Sequence, residues 1–246
     1  MEHLYLCKNS DELTKLQKHA NALKIGLESY LDDLRKYMRV EELPKCIIWT
    51  EEEFATKLLA DIPIPAYTDD RRTVVVPYPD VWKKIYLCQI KEYNQDRPEV
   101  QEVRAYYENC PVNQIRQIVG HEFVHWSEFF DEELYDETIW FEEGMAEYVS
   151  RKWFLTEEEY AKEKRINQIL IDLYEEMYEA QPLENFNYNS YGKEMNLIFY
   201  FYWKSFLFIE RLVEQKGGNM GEVIKCYQRW CETNREISLL EWFLIK

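Results

Sequence analysis

Glycine and proline are scarce in this chain, which contains 7 glycines and 8 prolines among 246 residues. So few flexible and helix-breaking residues exclude a low-complexity or disordered chain, and we expect order almost throughout. Hydrophobic residues make up 46% of the sequence, enough to fill a sizeable core. The length fits one compact unit or two closely packed lobes.

Basic charge and long apolar runs are also lacking. The 30 lysines and arginines face 46 aspartates and glutamates, which gives a formal net charge of −16. Such a surface repels phosphate backbones and anionic lipid headgroups, so neither nucleic acid nor a membrane is expected as a partner. The most apolar stretch, residues 197–209, is interrupted by Lys204 and is too short to span a bilayer. The N-terminal residues lack the pattern of a signal peptide, so we expect a cytoplasmic protein.

The cysteines form neither a CxxC pair nor a regular framework. They are Cys7, Cys46, Cys88, Cys110, Cys226 and Cys231. Without an export signal, we expect reduced thiols that are buried as small hydrophobic side chains.

The first hundred residues mix helix and strand patterns. Leucines at helical spacing predict one long amphipathic helix over residues 11–39. Two strands are predicted, over residues 46–49 and 73–76. Thr50 and Glu53 have the spacing of a capping box at the start of a helix after the first of these strands.

The rest of the chain is almost wholly helical in pattern. Residues 82–90 fit either helix or strand, and helices are predicted over residues 112–130, 138–153, 156–180, 194–216 and 219–232. This layout predicts an α+β fold, in which a small mixed sheet with helices is followed by a mainly helical region. We divide the chain into an N-terminal helical segment, a small α/β sheet region and a helical region with the motif described next, over residues 1–44, 45–110 and 111–246.

Histidine is rare, yet two of the four histidines stand in the sequence His121-Glu122-Phe123-Val124-His125. Residues four apart on a helix differ by only about 40° in direction, so both imidazoles can reach one ion. Glu122 flanks the same face, where its carboxylate can take a proton from a water molecule on the metal. Zinc suits two neutral imidazoles and a carboxylate, with the fourth position open for water.

A second stretch downstream completes the pattern, with the sequence Trp140-Phe141-Glu142-Glu143-Gly144-Met145-Ala146-Glu147-Tyr148. Together with the histidine motif it resembles the W-x-x-E-G-x-A-E-Y segment of gluzincin peptidases, which include the aminopeptidase N and thermolysin-like groups. The resemblance implies a thermolysin-like zincin fold for the helical region and Glu143 as the third zinc ligand. It also implies that Glu147 accepts a hydrogen bond from a ligand imidazole, that of His121. Gly144 would permit a close approach of two helices.

Two departures from the aminopeptidase pattern narrow the resemblance. His125 and Glu143 are separated by 17 residues, one fewer than the aminopeptidase spacing, which indicates a distinct subfamily. The chain also lacks a G-x-M-E-N-like strand, the segment with which aminopeptidases bind the free amine of a substrate. This absence argues against exopeptidase action.

Amide hydrolysis also needs a hydrogen-bond donor for the oxyanion, and tyrosine is the natural choice because no further histidine lies nearby in sequence. Aminopeptidase-like gluzincins carry a tyrosine at the start of a Y-x-K-G pattern, followed by an apolar helix that ends in glycine. Residues 202–205 read YWKS, with serine in place of that first glycine. The resemblance therefore implies Tyr202 as the oxyanion donor, with Tyr200 and Tyr191 as alternatives.

The leading hypothesis is a zinc-dependent metallopeptidase, an endopeptidase that cleaves a peptide or protein substrate through a metal-activated water. Two alternatives stay open: a catalytically silent gluzincin-like domain that binds a partner or senses metal, and a zinc hydrolase of a non-peptide substrate. An extended peptide would pair with an edge strand beside the active-site helix, for which residues 73–76 and 85–90 are the candidates. The oligomeric state and the role of residues 1–44 stay open.

Overall fold

The computed structural model describes residues 1–60, 64–109 and 112–245. In this part of the chain a small mixed sheet is combined with a majority of helices, which confirms the α+β class. The strands are β1 (Glu2–Leu6), β2 (Cys46–Thr50), β3 (Ala66–Thr68) and β4 (Arg72–Val75). The helices are α1 (Ser10–Leu23), α2 (Leu27–Tyr37), α3 (Glu52–Phe54, continued by a π-helical turn over Ala55–Leu59), α4 (Pro79–Cys88), α5 (Pro98–Glu108), α6 (Val112–Val124), α7 (Tyr135–Phe154), α8 (Glu157–Met177), α9 (Met195–Gln215), α10 (Met220–Cys231) and α11 (Leu239–Ile245).

The sheet has the strand order β1-β2-β4-β3. β1 runs parallel to β2 and β2 parallel to β4, whereas β3 is antiparallel to β4. Ile47, Trp49, Val74 and Val75 are fully buried, which explains why these strands are rich in large apolar residues. The described sheet therefore has β1 at one edge and the short strand β3 at the other, and β3 lies against α6.

The N-terminal segment differs from the prediction of a single long helix. Its first residues form β1, and the helix predicted over residues 11–39 is divided into α1 and α2. The division falls at Gly26, whose φ of +83° is left-handed and is unfavourable for a residue with a side chain. Both helices bury leucines in the common core and pack against α6. The predicted boundary between residues 110 and 111 lies outside the described residues.

Three local predictions in the sheet region were wrong. Thr50 ends β2 and donates its hydroxyl hydrogen to the Leu6 carbonyl over 2.9 Å, so it forms no capping box with Glu53. Residues 85–90 belong to α4 and the turn after it and cannot act as a strand. The strand predicted over residues 73–76 is β4, which lies between β2 and β3 instead of at the edge. The edge beside α6 is formed by β3.

Four of the helices after residue 112 match the predicted ranges closely, whereas α11 (Leu239–Ile245) was not predicted and α6 is shorter than expected. α6 ends at Val124 instead of residue 130, because the chain turns there, with Trp126 and Ser127 bonding back to the preceding carbonyls. Further on, α7 and α9 approach closely at Gly144. A Cβ atom at this glycine would lie 2.7 Å from the Ser205 carbonyl oxygen. The close approach expected of Gly144 is therefore made with α9.

Two further expectations concern membranes and cysteines. No helix within residues 1–60, 64–109 and 112–245 combines the length and the apolarity that crossing a membrane requires. The five described cysteines are free thiols. Cys226 is buried but Cys88 is exposed, so the expectation of buried thiols was wrong for part of the set.

Candidate metal centre

The two histidines of the motif and Glu143 converge where α6 ends against the middle of α7. Nε2 of His121 lies 3.0 Å from Oε2 of Glu143, and Nε2 of His125 lies 3.5 Å from the same oxygen. The two Nε2 atoms are 3.1 Å apart. All three ligand atoms lie within 4.8 Å of one another, so this group could hold a metal ion.

The spacing of these atoms fits a tetrahedral metal site. Nitrogen and oxygen ligands at about 2.0–2.1 Å from a tetrahedral ion lie roughly 3.3 Å from one another. The observed separations of 3.0, 3.1 and 3.5 Å bracket this distance. Oε2 of Glu143 is buried and accepts no hydrogen bond. Acceptor atoms that converge in a buried space repel one another unless a cation lies between them, and a metal ion meets this requirement.

The charges within the cluster perturb each other strongly. Burial alone would lower the pKa of His121, but the carboxylates of Glu143 and Glu147 outweigh burial and raise it. Burial alone would raise the pKa of Glu143, but the imidazoles of His125 and His121 lower it well below its usual range. The carboxylates therefore stabilise positive charge among these side chains. A bound metal ion would supply that charge and displace the imidazole protons.

Glu122 is the carboxylate beside the cluster. It is buried, it lines the same cleft as His121 and His125, and burial raises its pKa. Within the described part of the chain its side chain forms no hydrogen bond. Glu122 is therefore free to exchange a proton with a molecule in the cleft.

The cleft itself has a volume of about 1100 Å³. One wall is an edge of the sheet, since the residues of β3 line the cleft together with His121, His125 and Glu143. Nε1 of Trp126, in the turn after α6, donates to Oγ1 of Thr68 over 2.9 Å. This bond links the edge strand β3 to the turn that contains His125.

Two of the three candidate tyrosines lie at the site and the third does not. The rings of Tyr202 and His121 have their centroids 5.9 Å apart. The Tyr191 hydroxyl donates to Oε1 of Glu143 over 2.5 Å and lies 3.4 Å from the Tyr202 hydroxyl. Burial raises the pKa of both phenols well above the usual value, so both are protonated donors. The Tyr200 hydroxyl instead donates to Oε1 of Glu175 and lines no part of the cleft.

Two glutamates of α7 flank the candidate ligand Glu143. Glu147 lies beside His121, with its Oε1 3.0 Å from Nδ1 of the imidazole. Glu142 lines the cleft, accepts a hydrogen bond of 3.2 Å from the Thr138 hydroxyl, and has its pKa raised to about 8 by burial. The structure thus brings the predicted residue Glu147 to His121 and adds a buried carboxyl group to the cleft wall.

Sequence reasoning missed several residues of this region. Tyr135, which lines the cleft, and Arg151, which pairs with Glu147, lie eight residues before and after Glu143 on α7. That spacing of about two helical turns was a usable signal for a shared face. The contact between Trp126 and Thr68 left no comparable signal, because it joins a turn to a distant strand.

Comparison of the chain with protein-family models, with curated proteins and with solved structures found no match. An α+β fold does not by itself imply a function. The assignment therefore depends on the side chains and distances of the cluster.

Proposed function

We propose that the chain is a zinc-dependent metallopeptidase of the gluzincin type that acts as an endopeptidase. The main support is the convergence of His121, His125 and Glu143 ligand atoms within 4.8 Å of one another. Zinc is the proposed ion because two imidazoles and one carboxylate, with one position left open, are typical of catalytic zinc sites. The position of Glu122 beside this group supports a hydrolytic role over a purely structural one.

A zinc ion held by these three side chains would act as a Lewis acid toward the scissile carbonyl and the attacking water. Glu122 accepts the proton of that water at its carboxylate and donates it to the leaving amine. Tyr202 donates its hydroxyl hydrogen to the oxyanion that develops on the carbonyl oxygen. Tyr191 is less suited to this role because its hydroxyl already bonds to Glu143.

The position of β3 favours a peptide substrate over a compact non-peptide one. β3 is an edge strand of the sheet, and its residues line the cleft. It pairs with β4 along one side, and no described strand pairs with its other side. An extended peptide can add to such an edge through main-chain hydrogen bonds, which hold the scissile bond in a fixed direction. β3 therefore takes the peptide-binding role that the sequence analysis gave to residues 73–76 or 85–90. Binding of an extended peptide along β3 supports endopeptidase action.

The test is hydrolysis of a panel of internally quenched peptides by the zinc-loaded protein. The wild type should cleave at least one peptide, and a chelator should abolish cleavage. Glu122→Gln should still bind zinc while losing at least about 100-fold in rate, because the proton acceptor is gone. Glu137→Gln makes the same change at an exposed position of α7 and should retain full activity. Full activity of Glu122→Gln would refute the proposed role, and zinc binding without cleavage of any peptide would favour the non-peptidase alternatives.

A further inference from the structure

Behind the metal centre lies a line of buried charges that the proposed reaction does not use. Glu147 and Arg151 follow Glu143 at intervals of four residues along α7. Nη2 of Arg151 lies 2.5 Å from Oε2 of Glu147 and 3.4 Å from Oε1 of Glu163 on α8. The relative exposures of these residues are only 8% for Glu147, 6% for Arg151 and 2% for Glu163. These charged side chains are therefore buried in the interior and do not form a solvent-exposed face of α7.

The far end of the line is held by neutral donors from three helices. Oε2 of Glu163 accepts hydrogen bonds from the Tyr106 hydroxyl over 2.5 Å and from Nε2 of Gln114 over 2.9 Å. Nδ2 of Asn167 donates to Oε1 of Glu163 over 2.9 Å, while its Oδ1 accepts from Arg151 over 3.2 Å. These contacts join α5, α6, α7 and α8, so Arg151 has a rigid support.

The near end of the line reaches a metal ligand. Oε1 of Glu147 lies 3.0 Å from Nδ1 of His121, while the other oxygen faces Arg151. Among the described residues neither His121 Nδ1 nor Glu147 Oε2 meets the geometric criteria of a hydrogen bond, so the short separations from His121 and Arg151 are what define the position of this carboxylate. The guanidinium group of Arg151 also lies 4.2 Å from the ring centroid of Phe206 on α9, which holds it from a further side.

We propose that Arg151 is a positioning residue for the metal centre. It holds Glu147 where one carboxylate oxygen takes the Nδ1 hydrogen of His121, and this leaves Nε2 of the imidazole directed at the ion. Buried ion pairs are often no more stabilising than apolar residues of the same volume, so stability alone does not explain the arrangement. The proposal rests on the proposed metal centre but not on peptidase activity.

The experiment measures zinc affinity by competition with a chromophoric chelator, in the absence of substrate. The double variant R151M/E163Q removes one cation and one anion together, so that the net charge of the buried cluster is unchanged. We expect it to bind zinc about tenfold more weakly than the wild type. R151K keeps a cation near Glu147 and should recover part of this loss. R165M is the matched control, because Arg165 pairs with Glu102 at the surface. R165M should bind zinc with wild-type affinity.

A second measurement separates positioning from a general loss of structure. In the zinc-bound wild type, the Nδ1 hydrogen of His121 should give a downfield proton resonance that exchanges slowly. This resonance should shift and exchange faster in folded R151M/E163Q, and less so in R151K. Wild-type zinc affinity and an unchanged resonance in folded R151M/E163Q would overturn the proposal, as would the same loss of affinity in R165M. If the double variant does not fold, wild-type affinity and an unchanged resonance in R151K would overturn it. Neither zinc affinity nor the His121 resonance depends on peptide cleavage. Failure of the proposed peptidase activity can therefore be distinguished from failure of the positioning role.

Discussion

Replacing Gly144 with alanine should lower both the stability of the protein and its affinity for zinc. The added Cβ atom would lie 2.7 Å from Cγ1 of Ile209 and 2.7 Å from the carbonyl oxygen of Ser205, both on α9. The isoleucine side chain can rotate, but the carbonyl belongs to the helix backbone and yields only if α9 moves. Because Gly144 adjoins the proposed ligand Glu143, and Ser205 lies three residues from Tyr202, such a movement shifts both of these side chains.

The magnitude follows from two opposing effects. Adding a carbon to a packed interior costs about 1–3 kcal/mol. Alanine is favoured over glycine inside a helix by about 0.8–1.0 kcal/mol, which offsets part of that cost. Since the clash at Gly144 is with backbone, the upper half of the range applies, and the free energy of unfolding should fall by about 1–2 kcal/mol.

Urea unfolding of the metal-free protein, followed by tryptophan fluorescence, measures this change, and chelator competition measures zinc affinity. Gly221→Ala on α10 is the matched control, because its Cβ would meet only a side-chain atom, Oδ1 of Asn219, at 3.2 Å. That variant should be as stable as the wild type or slightly more stable. If Gly144→Ala keeps wild-type stability and zinc affinity, the close contact between α7 and α9 does not support the site.

Three tyrosine variants test the roles assigned around the cluster. Tyr202→Phe should lower kcat by about 100- to 1000-fold with zinc affinity unchanged, because the oxyanion loses a donor; an unaltered kcat would exclude that role. Tyr191→Phe should weaken zinc binding by about tenfold in a competition titration, because Oε1 of Glu143 loses its hydrogen bond; equal affinity would contradict this. Tyr200→Phe, on the same helix as Tyr202, is the control and should change neither quantity, because its hydroxyl bonds to Glu175 away from the cleft.

The three residues that could hold a metal ion were predicted from the sequence for two different reasons. His121 and His125 are four residues apart, so the geometry of one helix turn determines their relative position whatever surrounds them. Glu143 comes from a different helix, and local geometry says nothing about the contact between α6 and α7. Glu143 was assigned from the resemblance to gluzincins. In the structure its Oε2 lies 3.0 Å from Nε2 of His121.

The sheet edge beside α6 could not be predicted because strand order is a long-range property. The run at 73–76 has the strongest strand pattern, but a central strand that is buried on both faces produces that pattern. β3 has only three residues, too few for a periodic signal, and it becomes the edge through pairing with β4. β1 was missed for a related reason, since it pairs with β2 across a separation of more than 40 residues.

The tyrosines show the same limit at a single site. Tyr200 and Tyr202 lie on one apolar helix, and only the packing of α9 against α7 decides which hydroxyl faces Glu143. Tyr191 reaches that carboxylate from the segment before α9, a contact between residues 48 positions apart that carries no spacing signal.

Zinc stoichiometry is the most direct test of the proposed metal centre. Purified protein would be loaded with zinc, freed of excess metal by gel filtration and examined by elemental analysis, with Glu143→Gln and Glu137→Gln as the matched pair. The wild type and Glu137→Gln should hold about one zinc ion per chain, and Glu143→Gln should hold much less because it lacks the anionic ligand. Less than about half an equivalent in the wild type after loading, or equal zinc in Glu143→Gln, would contradict the metal centre.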